Sequence, residues 1–163
     1  MELIVGMGQY AISGGEEDIL RTFALASCVA VTAYHPIKRA AGMIHIVLPT
    51  PLSRKDVTER PAYFAQTGVP LLIHVMCRRT GCRKEELLIQ LFGGAGSMLE
   101  QDVFHVGKKN IEAVKYSLSE LGMSIRREEL GGKESRTISM DAKTGTVQIY
   151  RLPLNSLNGG CNT

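Results

Sequence analysis

Short apolar runs, separated by glycine, proline and polar residues, dominate the chain and predict strands. Residues 19–34 indicate two extended stretches with a loop near Ala26 and Ser27, and residues 42–48 indicate a strand that ends at Pro49. Further strands are predicted within residues 2–12, over 87–92, and over 136–141 and 146–151, the two arms of a hairpin.

Helical spacing of apolar residues marks fewer segments. A helix over 108–121 is predicted by Ile111, Val114, Leu118 and Leu121. Proline at the start and glycine at the end predict a short helix over 63–68 and another over 71–79. The polar, proline-bearing residues 49–60 indicate a surface loop able to cover a site.

The order of these elements predicts the fold class. Strands outnumber helices, and the two main helices do not alternate regularly with strands, which is typical of an α+β domain. We therefore expect a layered sandwich of mostly antiparallel sheet covered by two main helices. The 163 residues suit a single domain over 1–154, followed by a flexible tail over 155–163.

Charge and composition exclude several classes of function. The net charge of +3 is small and scattered, which argues against a nucleic-acid partner. No apolar stretch approaches the roughly 20 residues that cross a bilayer, and the N-terminus lacks a signal-peptide pattern. We expect a cytoplasmic protein without membrane insertion, whose four cysteines are free thiols.

Cys28 and His45 are the residues that point most directly to chemistry. A turn centred between Pro36 and Ile37 places Cys28 directly opposite His45, with Cβ atoms about 4.5–5.5 Å apart. A register slip of two residues moves His45 to the diagonal position on the same face, whereas a slip of one separates the pair. A thiol beside an imidazole is the minimum for cysteine nucleophilic catalysis. The alternative is a buried cysteine and a structural histidine.

Two other groupings suggest a bound ligand less strongly. The glycine-rich residues 93–96 follow a strand but match neither a phosphate-binding loop nor a dinucleotide fingerprint. Close approach of this backbone to the core, or to the reacting amide of a substrate, is the better interpretation. His74, Cys77 and Cys82 match no tight zinc knuckle. We therefore expect neither a metal nor a cofactor.

Several separate blocks, in the same order along nearly the whole chain, resemble the chemoreceptor glutamine deamidase family CheD. The departure nearest to Cys28 is Ala26, where many members have glycine. The blocks are residues 6–11, 25–31, 42–49, 67–72, 92–95, 107–110, 131–132 and 136–137.

The resemblance implies a fold similar to cysteine-hydrolase deamidase toxins and a catalytic set of Cys28, His45 and Thr22. It implies that the Cys28 thiolate attacks a receptor glutamine side chain, that ammonia leaves, and that water hydrolyses a thioester to leave glutamate. Backbone N–H groups near Ser27, with others from Gly93 and Gly94, are then expected to hold the oxyanion.

The implied partners are the helical cytoplasmic regions of methyl-accepting chemotaxis receptors and a CheC-type phosphatase. Two alternatives remain open. One is a non-enzymatic adaptor that binds and regulates the CheC-type phosphatase, for which Cys28 need not react. The other is hydrolysis of receptor methyl esters by the same thiolate.

Overall fold

A computed structural model describes residues 1–96 and 104–154. Within them, the strands are β1 (Glu2–Ile4), β2 (Tyr10–Ile12), β3 (Ile19–Leu25), β4 (Val29–His35), β5 (Ala40–Ile46), β6 (Leu88–Gly93), β7 (Ile125–Leu130), β8 (Glu134–Asp141) and β9 (Val147–Pro153). The helices are α1 (Arg54–Glu59), α2 (Ala65–Thr80) and α3 (Val106–Glu120), with short 3-10 turns at Pro61–Tyr63 and Lys84–Glu86.

Three layers build the molecule, and they confirm the α+β prediction. One sheet has the order β2-β5-β4-β6-β7 and the other β1-β3-β8-β9. The pairs β1-β3 and β6-β7 are parallel, and the remaining pairs are antiparallel. Helices α2 and α3 cover one face of the five-stranded sheet, and the four-stranded sheet covers its other face.

Strand β4 lies at the centre of the five-stranded sheet and is buried along its whole length. Val29 and Val31 pack toward the helices, whereas Ala30 and Tyr34 pack toward the second sheet. A strand with both faces covered has no polar face, which explains the continuous apolar run in the sequence. The region between the two sheets, which we call the inter-sheet layer, also holds the side chains considered below.

Helix α2 corrects the prediction of two separate helices over 63–68 and 71–79. It is continuous through Gly68 and Pro70. A Cβ atom on Gly68 would lie 2.7 Å from Cδ1 of Ile46 and 3.0 Å from Cδ1 of Ile44. Gly68 is therefore a point of close approach between the helix and β5, and not a helix stop.

Two further elements differ from the prediction. Residues 49–60 contain α1, which begins where the Ser53 side chain accepts a hydrogen bond from the Asp56 N–H. Strand β7 was not predicted, because its central residues 126–129 are all charged, and the first three of them are exposed. It pairs with β6 at the sheet edge, where such residues are tolerated.

The predicted strands within 2–12, the 136–151 hairpin and the 108–121 helix are confirmed, with ends shifted by a few residues. No helix within residues 1–96 and 104–154 is long and apolar enough to cross a membrane. The predicted tail, 155–163, lies outside the described residues.

Candidate active site

The β4–β5 hairpin places His45 opposite Ala30, and not opposite Cys28 as predicted. The strands pair from His35 with Ala40, so four residues form the loop, and Arg39 within it has a left-handed φ of 48°. The predicted turn had two residues. Loop length sets hairpin register, so the longer loop moves the pairing by two residues and keeps every side chain on its predicted face.

Cys28 precedes the first residue of β4 and lies diagonal to His45. It is half-buried and packs against the same inter-sheet core as Ala30. Diagonal neighbours on one sheet face are about 7–8 Å apart, somewhat less at Cβ. No hydrogen bond joins the Cys28 sulfur to Nε2 of His45 in the part of the chain that the structure describes. The structure therefore brings the thiol and the imidazole to one face at the end of the inter-sheet layer.

Thr22 reaches His45 from the other sheet and determines which ring nitrogen carries the proton. Its Oγ1 lies 2.7 Å from Nδ1 of His45 and 2.6 Å from the carbonyl oxygen of Val5. A carbonyl can only accept, so the Thr22 hydroxyl donates its proton to Val5 and accepts from the His45 Nδ1–H. Neutral His45 consequently has its lone pair on Nε2.

The second ring nitrogen of His45, Nε2, lies in an apolar environment. Nε2 is buried and has no hydrogen-bond partner among the described residues. Burial lowers the pKa of His45 from 6.5 to about 4 and raises the pKa of the Cys28 thiol. At neutral pH the resting site therefore holds a thiol and a neutral imidazole rather than a thiolate–imidazolium pair.

The glycine-rich segment after β6 supports the Cys28 backbone. The Gly94 N–H donates to the Cys28 carbonyl oxygen at 2.8 Å. Gly93 has a φ of 109°, and a Cβ atom there would lie 2.2 Å from the same oxygen. The expectation that Gly94 donates to an oxyanion is corrected, because that N–H already has a partner.

The peptide N–H groups beside the thiol are the remaining donors. Within residues 1–96 and 104–154, neither the Ser27 N–H nor the Cys28 N–H donates a hydrogen bond. In this part of the chain, both N–H groups are therefore without a partner.

Two buried polar side chains contact these segments and were missed from the sequence. Asn110 on α3 donates from Nδ2 to the carbonyl oxygens of Ser27 and Val47, both at 2.9 Å. Arg136 on β8 donates to the carbonyl oxygen of Gly93 at 3.4 Å. The sequence does carry one signal for Asn110. It is a polar residue four positions before Val114, so it lies on the otherwise apolar stripe of α3.

A second cluster of possible metal ligands differs from the one considered in the sequence. The ligating atoms of His35, Cys82 and Glu86 lie within 4.8 Å of one another, and exposed His74 is not among them. Nδ1 of His35 accepts from the Lys38 N–H at 3.2 Å, so neutral His35 carries its proton on Nε2, the nitrogen nearest Glu86. A cation would have to displace that proton, so this cluster is not a ready metal site.

A sequence model of the family described as CheD chemotactic sensory transduction matches residues 47–151. A protein from Syntrophotalea carbinolica named "Probable chemoreceptor glutamine deamidase CheD" is 43% identical over 151 residues, covering 91% of this chain and 93% of its own. Proteins of the same name from Desulforamulus reducens and Pyrococcus abyssi are 38% and 34% identical, covering 91% and 93% of this chain and 89% and 92% of their own.

Among solved structures, the Bacillus licheniformis hypothetical protein YfiH aligns with 73% of this chain and 49% of its own, at 14% identity and a TM-score of 0.49. A likeness of this strength carries no functional argument. The relatives, by contrast, match at 34–43% identity over about nine-tenths of both chains, and from them it follows that this chain belongs to the CheD family.

Proposed function

We propose that this chain is a protein-glutamine deamidase that converts glutamines in the helical cytoplasmic region of methyl-accepting chemotaxis receptors to glutamate. The names of its relatives support the reaction and the substrate class. The observation that carries the catalytic assignment is the contact of Thr22 with His45 Nδ1, which leaves Nε2 as a base on the face that holds Cys28.

The reaction begins from the neutral pair. His45 Nε2 accepts the thiol proton as the Cys28 sulfur bonds to the carboxamide carbon of the glutamine. The carbonyl oxygen becomes an oxyanion, which the free N–H groups of Ser27 and Cys28 stabilise. Thr22 keeps the imidazolium oriented through Nδ1–H.

Collapse of this intermediate releases ammonia. Burial lowers the pKa of His45 to about 4, so the imidazolium is a strong acid and readily protonates the departing nitrogen. Water then attacks the thioester and His45 accepts one of its protons. The products are a glutamate side chain and the regenerated thiol.

The test is the mass of a receptor cytoplasmic fragment after incubation with the protein. The wild type is expected to add about one dalton for each glutamine converted. Cys28→Ala and His45→Ala are expected to add none, while circular dichroism shows the fold retained. The matched control is Cys77→Ala, which removes a half-buried thiol from α2 and is expected to leave turnover intact.

Two other outcomes would redirect the assignment. An unchanged receptor mass, together with binding of a CheC-type phosphatase, would contradict deamidation and favour a non-enzymatic adaptor. A loss of about 14 daltons from a methylated receptor, dependent on Cys28, would favour methyl-ester hydrolysis by the same thiol.

A further inference from the structure

The buried amide of Asn110 joins the two segments that carry the reacting side chains. Asn110 is 0% exposed and donates both Nδ2 hydrogens, one to the carbonyl oxygen of Ser27 and one to that of Val47. Ser27 directly precedes Cys28, and Val47 follows His45 by two residues. One side chain on α3 thus holds both segments.

Asn110 acts where β4 and β5 separate. Their pairing ends at Val29 and Ile46, so the backbones on the far side of this pair no longer bond to each other. The Asn110 amide supplies donors to a carbonyl on each side of the gap. The two hydrogen bonds therefore hold the strands at a fixed separation, with Cys28 at the end of the inter-sheet layer.

We propose that Asn110 is a positioning residue that aims the Cys28 N–H at the reacting oxygen. The Ser27 carbonyl and the Cys28 N–H belong to one planar trans peptide, in which the two groups point in opposite directions. A hydrogen bond that directs the carbonyl toward α3 therefore directs the N–H away from it. The same bond polarises the peptide and strengthens the N–H as a donor.

The side-chain oxygen of Asn110, which makes no hydrogen bond to a described residue, supports a role beyond packing. Oδ1 of Asn110 is buried and has no hydrogen-bond partner among the described residues. A buried polar atom without a partner costs stability, so a side chain that only filled this space would better be apolar. What the amide provides here is two donors on one rigid group.

The inference rests on the proposed function for its oxyanion, so its test uses a probe that needs no glutamine. p-Nitrophenyl acetate acylates Cys28 through a tetrahedral intermediate: the C–S bond forms, the C–O bond breaks and p-nitrophenolate leaves. Iodoacetamide alkylates the same thiol by direct displacement of iodide, without an oxyanion. The rate on Cys28→Ala is subtracted from both reactions to remove the other thiols.

Asn110→Ala is expected to slow acylation by about 10- to 100-fold and to change alkylation by less than about threefold. Asn110→Asp keeps the side-chain size but loses both donors, and the same result is expected. The matched control is Ser117→Ala, which removes a buried hydrogen bond from α3 to Ala65, two turns away, and is expected to change neither rate.

Equal loss of both rates, no loss of either, or unfolding of both Asn110 variants would overturn the proposal, because the amide would then have only a structural role. Failure of the proposed function is visible separately, as a wild-type protein that leaves receptor glutamines unchanged. A selective loss of acylation would still support the positioning role in that case.

Discussion

At the scale of single residues, the contact between Thr22 and His45 makes one tautomer of the imidazole the stable one. The Thr22 hydroxyl donates its proton to the carbonyl oxygen of Val5. Its Oγ1 atom can therefore only accept a hydrogen bond from His45. In the proposed mechanism, the nitrogen that receives the proton from Cys28 is therefore Nε2.

We expect Thr22→Val to lower kcat for deamidation by about 5- to 13-fold, since losing one hydrogen bond to the base corresponds to about 1–1.5 kcal/mol. Turnover of a receptor fragment measures this. The control is Thr32→Val, which changes a buried threonine on β4 whose hydroxyl bonds only weakly, at 3.5 Å, to Gln90. Equal effects of the two substitutions would contradict the assignment.

Buried His45 also predicts a pH dependence of folding. Its pKa is about 4 in the folded protein, and in the unfolded chain it returns to about 6.5. The unfolded state therefore takes up a proton first as pH falls. Stability from neutral His45 is fully present above pH 6.5 and declines toward pH 4, by about 3 kcal/mol in total.

Urea unfolding at pH 7 and at pH 4.5, for the wild type and for His45→Asn, measures this decline. The substitution removes the titrating group, so the variant is expected to lose less stability between the two pH values. An identical loss in both proteins would show that other groups account for the acid sensitivity.

At the scale of elements, local patterns predicted the strands better than the connections between them. The turn centred between Pro36 and Ile37 predicted Cys28 and His45 on one face, and the observed register keeps them there, because side chains in a strand alternate with a period of two. The register differed by two residues, since the left-handed Arg39 in a four-residue loop has no clear signature in the sequence.

Gly68 shows, for a helix, the same limit of prediction from local sequence patterns. Glycine is the usual helix terminator, and the sequence alone favoured that role, whereas the structure uses its missing side chain to seat α2 on β5. The role of the residue depends on a neighbour more than twenty positions away.

We expect Gly68→Ala to destabilise the protein by about 1–3 kcal/mol, although alanine is the better helix former, because the new methyl group meets Ile44 and Ile46. Urea unfolding measures the change. Gly15→Ala is the control, since no atom lies within 4 Å of the added group, and its effect is expected to stay within about 0.5 kcal/mol. A stabilising effect of Gly68→Ala would show that α2 can move away from the sheet.

At the scale of the whole molecule, the five-stranded sheet contributes to two cores at once. Met140 is buried between the sheets, and Leu72 is buried between the sheet and α2. Because β4 contributes side chains to both cores, loss of one is expected to remove support from the other.

Met140→Ala and Leu72→Ala are each expected to cost about 2–5 kcal/mol while unfolding stays a single transition. Urea unfolding followed by far-UV circular dichroism and by tyrosine fluorescence measures this, because Tyr34 is buried in the inter-sheet layer. Separate midpoints for the two signals would show that the layers unfold independently.

The sequence by itself determined the α+β class, the central apolar strands, the helix near α3 and the common face of Cys28 and His45. These depend on periodicities of two and 3.6 residues, which are local. Only the tertiary structure decided the register of the hairpin, the tautomer and lowered pKa of His45, and the bridging role of Asn110. Each of these depends on burial and on contacts between layers, which bring together residues that are far apart in the chain.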